Sequence, residues 1–293
     1  MEKEKNLVAS IVIPVYKDVE GLRDTMESLE HQSTSREYFE VIVCNDGALQ
    51  EISEVCRQYR VTEVKIFPNR GSYYARNRGI EKAKCSYIGF VDADIKVSKD
   101  WVKIGMEQLK TYDYVTGPVD IDESKAHTWT ERFEVATALN MKYYFEDYHF
   151  APTANLWVKK KLFEEKGMFD ERLRSGGDSD FGNRIYKAET YKMHYCDELS
   201  VLHPPRKYHS LVAKTKRVAI GTIDLKYLKN PNSPHKKLTK YVKRVLFHPW
   251  KFVLKRKCGF FERTVFYLMH RWFFTLHNYF QYQYEKKRIV GES

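Results

Sequence analysis

The chain is short of cysteine and has none in pairs. Its five cysteines (Cys44, Cys56, Cys85, Cys196 and Cys258) are scattered, odd in number and never spaced C-x-x-C. That excludes a disulfide framework or a zinc cluster and implies a reducing compartment. Long apolar runs are missing too: nothing reaches the roughly 18 to 20 residues that a membrane-spanning helix needs. The N-terminal MEKEKNLVASIVIPVY mixes charges, interrupts its apolar run with Ser10 and Pro14 and has no small-residue cleavage site, so it does not read as a signal peptide. There is no internal repeat and no low-complexity tract. Acidic residues run out only near the C-terminus. From residue 201 onward 21 Lys+Arg face 4 Asp+Glu, a net of +17, whereas the first 200 residues hold 29 and 35, a net of −6. These features lead to the expectation of a cytoplasmic protein, peripheral rather than integral at a membrane. Its basic last third is expected to meet a polyanion, either nucleic acid or an acidic membrane surface.

The first ~120 of the 293 residues alternate strand and helix patterns. SIVIPVY (Ser10–Tyr16), EVIVC (Glu40–Cys44), EVKIF (Glu63–Phe67) and YIGFV (Tyr87–Val91) read as strands, with helical segments between them. Such alternation implies right-handed βαβ crossovers and a mostly parallel sheet of Rossmann-like α/β type. Ligands of such sheets bind beyond the carboxyl ends of the strands. Here those ends carry Pro14–Tyr16, Asn45–Ala48, Pro68–Gly71 and Asp92–Ile95. Further on, DYVTGPV and MHYCDELSVLH each read as a strand, and TERFEVATALNMKYYF as a helix. Composition turns to Lys/Arg with aromatics after His203–Arg206, which places a domain boundary between 1–205 and 206–293.

Three features carry chemistry. In an extended segment residues i and i+2 point the same way, so Asp92 and Asp94 can converge on Mg²⁺ or Mn²⁺, although D-x-D also occurs as a plain acidic turn. In GGDSDFGNR a helix is expected to begin near Phe181, capped by Asp180. Asp178 is then a carboxylate kept ionised near a helix start, suited to act as a general base. His203 ends a strand just before two prolines, either as a structural residue or as an imidazole completing a carboxylate metal site.

Taken in order, SIVIPVYKD, VIVCNDGA, NRGSYYARNRGI, GFVDADI, GMFDERL and GGDSDFGNR resemble the inverting GT-A glycosyltransferases of family 2 across about residues 8–205. The resemblance implies a GT-A fold, a nucleotide-sugar donor (UDP-sugar favoured) and Mn²⁺ or Mg²⁺. It implies inverting transfer of a hexosyl or N-acetylhexosaminyl group to a glycan or lipid-linked acceptor in cell-envelope polysaccharide synthesis. By that likeness Pro14, Tyr16 and Asp46 line the base and ribose, and Arg76 lies near the nucleotide. Asp92 contacts ribose or metal, Asp94 and His203 ligate the metal, and Asp178 is the catalytic base. One departure is Gly177, which stands where the family has the first acid of a Glu-Asp pair. A sugar nucleotidyltransferase and a non-catalytic membrane-associated scaffold are the alternatives; the first needs a glycine-rich basic loop that PVYKDVEG does not supply.

In the basic last third, Val265, Leu268, Trp272, Leu276 and Tyr279 recur at helical spacing, with Arg263, His270, His277 and Gln281 on much of the other side. A basic aromatic helical extension of this kind suits an anionic membrane interface, or packs on the catalytic core with a solvated basic face. No nucleic-acid-binding motif is present, so no nucleic-acid partner is expected.

Overall fold

The computed structural model describes residues 7–235, 237–247 and 258–290. They form two compact units. The first comprises the described part of Met1–Asp120 with Leu139–Glu171 and Gly177–Pro204. The second comprises Ile121–Ala138, Arg172–Gly176 and the described part of Pro205–Ser293. The second unit thus draws in two short upstream segments that no change of composition announces.

The first unit opens with β1 (Ala9–Val15), α1 (Val19–Glu30), β2 (Phe39–Asp46), α2 (Gln50–Gln58), β3 (Thr62–Ile66), α3 (Ser72–Lys82) and β4 (Tyr87–Val91) in strict alternation. Then come β5 (Lys96–Val97), α4 (Trp101–Thr111), β6 (Tyr114–Thr116) and β7 (Val119–Ile121). After α5 (Trp129–Thr137), which lies in the second unit, the chain forms α6 (Met141–Tyr148), β8 (Asn155–Lys159), α7 (Lys161–Lys166), α8 (Gly177–Tyr186), β9 (Met193–Tyr195) and β10 (Val201–His203). The second unit continues with α9 (Tyr208–Lys229), α10 (Leu238–Leu246) and α11 (Phe260–Val290).

The main sheet has the order β3-β2-β1-β4-β8-β6-β9. Its first four strands are parallel; β8 runs antiparallel to both β4 and β6, and β9 parallel to β6. Ala9, Ile11, Val12 and Ile13 of β1 are fully buried, as a strand covered by helices on both faces requires. Helix α1 starts where the Asp18 carboxylate accepts the Gly21 N–H (2.9 Å), and it turns Leu22, Met26 and Leu29 inward.

Each of the two later segments read as single strands is divided between sheets. β6 and β9 belong to the large sheet, while β7 and β10 join β5 in a small one of order β5-β10-β7. The crossing is set by Gly117, where a Cβ would lie 2.2 Å from the Leu199 carbonyl oxygen and 2.6 Å from that of Cys196. Only glycine lets the two chains pass this closely. The helix read over 130–145 is likewise two helices, broken at Leu139, whose φ of 49° is left-handed.

The second unit packs Phe133, Ala136, Leu211, Phe266 and Phe273 into a core. Helix α11 divides the stripe that its hydrophobic periodicity marks. Leu276 packs against this core, but Leu268, Trp272 and Tyr279 are exposed, while Gln281 is buried beside Asn278 and Glu285. The reason is a polar interior. The Glu285 carboxylate accepts from Lys226 Nζ (2.8 Å), Tyr227 OH (2.8 Å) and Tyr241 OH (2.7 Å), and Gln281 accepts from Arg244 (3.3 Å). Burial also pushes His277 down to about 4, so it is neutral at ordinary pH. Among the described residues no helix is long and apolar enough to cross a membrane.

Asn155 binds the two sheets together. Fully buried, it donates to the carbonyls of Pro118 (3.0 Å) and Leu199 (2.6 Å) and accepts from Trp101 Nε1 (2.9 Å). Asn155→Ala orphans the Trp101 indole N–H and the Leu199 carbonyl at about 1–3 kcal/mol each, while the Pro118 carbonyl keeps the Val201 N–H (3.1 Å). Chemical denaturation should therefore show a loss of at least about 2 kcal/mol, and a change below about 0.5 kcal/mol would remove Asn155 from this role.

Candidate active site

All the catalytic, nucleotide-binding and metal-binding candidates singled out by sequence lie in the first unit. Pro14 sits within β1 opposite Cys44 of β2. Just beyond, Tyr16 is exposed and its ring lies over Gly47, where a Cβ would meet it at 3.1 Å. The φ of 136° at Gly47 is a second reason for glycine there. An open aromatic face at the end of β1 can stack on a planar base.

Asp46, at the end of β2, is buried, and its carboxylate binds protein. It accepts from Asn69 Nδ2 (2.7 Å) and from the backbone N–H groups of Arg70 and Gly71 (2.8 Å each). It thereby fixes the loop that enters α3. That helix carries Tyr73 and Arg76, the second of which donates to Asp92 Oδ1 at 2.5 Å. Arg76 is buried, and its Nε has no partner among the described groups.

Asp92 and Asp94 do not lie in an extended segment. They follow β4 in a turn closed by the Ile95 N–H on the Asp92 carbonyl (3.3 Å), so the two carboxylates take different partners. Asp92 turns to Arg76. Asp94 turns to His203, with Oδ2 3.5 Å from Nε2. The antiparallel pairing of β10 with β5 (Val201 opposite Val97, Leu202 opposite Lys96) is what carries His203 to this edge.

The buried His203 ring has Nδ1 against the Pro204 carbonyl oxygen. A carbonyl only accepts, so Nδ1 bears the hydrogen and Nε2 is the nitrogen facing Asp94. With metal–ligand bonds of about 2.0–2.1 Å, adjacent ligands on an octahedral cation stand about 3 Å apart. An oxygen and a nitrogen at 3.5 Å therefore fit a divalent cation with little movement. Among the described residues no group of three or more His, Cys, Asp or Glu forms a cage. The remaining positions would fall to water and substrate oxygens, the usual arrangement for Mg²⁺ and its relatives.

Helix α8 begins at Gly177, four residues earlier than expected, which puts both acidic residues in its first turn. Asp180 is not a cap: its carboxylate pairs with Arg184 one turn on (3.0 Å). Asp178 Oδ1 accepts from the Ser179 N–H (2.9 Å) and from Tyr73 OH (3.0 Å). Its carboxyl is not held low by the helix start. Burial among Tyr73 and its neighbours raises it, opposed by the Ser179 and Tyr73 hydrogen bonds and by the Arg76 charge.

Tyr73 is the residue that pattern reading missed, and it accounts for Gly177. A Cβ on residue 177 would lie 2.9 Å from the Tyr73 ring, so the ring fills the space where an acidic side chain would start. The signal was present in the paired tyrosines of GSYYARNRG, but nothing local ties them to a residue a hundred positions away.

Residues 10–167 match the family described as Glycosyl transferase family 2. The chain is similar to Glycosyltransferase AglE of Haloferax volcanii, 29% identical over 74% of this chain and 73% of that protein. It is similar also to chondroitin synthase of Escherichia coli, 28% identical over 62% of this chain, but it spans only 32% of that protein. Among solved structures it resembles the mannosyltransferase PcManGT from Pyrobaculum calidifontis in complex with GDP-Man and Mn²⁺ (TM-score 0.62, 12% identity, 97% of this chain and 88% of the other). It also resembles S. aureus TarS 1-349 in complex with UDP-GlcNAc (TM-score 0.58, 14% identity, 98% and 93%). Likeness at these identities establishes the GT-A fold, and the sequence match establishes the kinship: the chain belongs to glycosyl transferase family 2.

Proposed function

We propose that this glycosyltransferase is metal-dependent and inverting, and that it moves a sugar from a nucleoside-diphosphate donor to a hydroxyl of a glycan or lipid-linked glycan acceptor in cell-envelope polysaccharide synthesis. The observation that carries the reading is the placement of a raised carboxyl, Asp178, held by Tyr73 on the helix that also carries Arg76. A general base works best when its affinity for a proton is brought toward the operating pH. Oδ2 of Asp178, which neither the Ser179 nor the Tyr73 bond uses, takes the proton of the acceptor hydroxyl as its oxygen attacks the anomeric carbon. The nucleotide then leaves from the opposite face.

Tyr16 stacks on the base, and Pro14 shapes the strand end beneath it. Asp46 acts by holding the Asn69–Gly71 loop, and the Arg76–Asp92 pair presents Asp92 to the ribose. Asp94 and His203 would hold the divalent cation, with Mn²⁺ favoured over Mg²⁺ because imidazole suits transition metals better. When bound, the cation neutralises charge developing on the leaving diphosphate. Complexes of structural neighbours with UDP-GlcNAc and with GDP-Man and Mn²⁺ support a nucleotide-sugar donor, and a UDP-sugar remains the favoured one. The basic C-terminal unit supports a peripheral place on the cytoplasmic face of a membrane and a lipid-linked acceptor.

The base must be ionised, so turnover falls as pH drops through the Asp178 value. Tyr73→Phe removes a bond to the charged form and raises that value further. The acidic limb of the kcat profile should then move to higher pH, while Asp178→Asn loses at least about 10²-fold in transfer and still binds donor nucleotide. An unmoved limb in the first variant and wild-type turnover in the second would remove Asp178 as the base. For the cation, Asp94→Ala should abolish the Mn²⁺-dependent part of nucleotide binding in calorimetry. Equal affinity with and without Mn²⁺ in both proteins would take the metal away from this site.

A further inference from the structure

Helix α10 is mounted with its apolar side outward. Tyr241 is buried with its OH on Glu285 (2.7 Å), and Arg244 reaches Gln281 (3.3 Å), so polar contacts fix the helix on α11. Leu238, Val242 and Leu246, at i, i+4 and i+8, form a row that is 51%, 46% and 65% exposed, continued by Phe247 at 78%. Lys240 and Lys243 are exposed beside it. A helix that served only to cover the core would turn this row inward.

The charge of the sequence in which the row lies identifies its occupant. Residues 225–261 contain 11 Lys+Arg and no Asp or Glu. A second copy of a chain carrying +11 overall would meet this surface with like charge. Single-stranded nucleic acid would use aromatic planes, whereas three of the four residues here are aliphatic. Aliphatic side chains flanked by lysine, in a segment that itself carries no carboxylate and with Glu285 buried behind it, match the acyl boundary and phosphates of an anionic bilayer.

We propose that α10 is the element that docks the protein on an anionic phospholipid surface, inserting Leu238, Val242, Leu246 and Phe247 while its lysines meet lipid phosphates. The inference rests on the peripheral-membrane reading above and adds to it by naming the helix, in place of the aromatic stripe of α11.

Co-sedimentation of the full-length protein with phosphatidylcholine vesicles, with and without about a third of phosphatidylglycerol, tests it. Wild type should bind the anionic vesicles and release in high salt. Val242→Glu combined with Leu246→Glu should weaken binding about tenfold or more, while Leu268→Glu on α11 changes it less than about twofold. Lys240→Glu with Lys243→Glu, which keeps the apolar row, should lose most of the preference for phosphatidylglycerol and guards against misfolding of the first variant. If wild type binds and both α10 variants bind equally well, the assignment to α10 is overturned and the peripheral-membrane reading survives. If wild type ignores anionic vesicles, both fall. A solution dimer that the Val242/Leu246 variant dissociates would make this face a self-interface instead and overturn the proposal.

Discussion

A single buried guanidinium organises the end of the sheet. Arg76 sits at 4% exposure, where an uncompensated charge is costly, and Asp92 compensates it at 2.5 Å. Its guanidinium carbon also lies 5.8 Å from the centre of the Tyr73 ring, whose OH binds Asp178, and its charge opposes the desolvation of that carboxyl. The position of Arg76 is in turn set by Asp46, which captures the two N–H groups at the entry to α3. A chain of fixed contacts thus runs from β2 through α3 to the carboxylates at the ends of β4 and the start of α8. The nearby Cys44 thiol, pushed up to about 12 by burial, is inert and packs as a small apolar residue.

The parallel half of the fold was legible because its signals are local: β-branched runs, helical spacing and turn residues at every strand end. Legibility fell where a decision depends on distant groups. The split of β9 from β10 hinges on a close pass of Gly117 against Leu199, and neither residue reports the other in sequence. Asp178 was found from its motif, but the tyrosine that holds it was not. Burial, which no one-dimensional reading measures, raises its carboxyl where a helix start alone was expected to favour the charged form. The D-x-D pair was read as one bidentate unit because parity in an extended chain puts i and i+2 on one side. The turn at Asp92–Ile95 sends the carboxylates to different partners.

The C-terminal unit shows the same limit from the other side. Periodicity assumes that the buried face of a helix is the apolar one. In α11 the Glu285 carboxylate takes an interior place with Lys226, Tyr227 and Tyr241 while Leu268, Trp272 and Tyr279 of the stripe are exposed. A polar interior built on Glu285 leaves part of the apolar surface exposed, in a stretch with 21 basic residues against 4 acidic ones after residue 200. On the proposed reading, catalysis and surface binding are carried by separate units of the chain.

On the proposed mechanism one carboxylate takes a proton while the nucleotide leaves from the far side of the sugar. With Mn²⁺ and an α-linked donor such as UDP-GlcNAc or GDP-Man, slow transfer to water makes that claim visible without knowledge of the natural acceptor. Proton NMR of the first-formed sugar, recorded before it equilibrates, should show the β-anomer appearing first. First appearance of the α-anomer, or release of sugar 1-phosphate in place of free sugar, would contradict it.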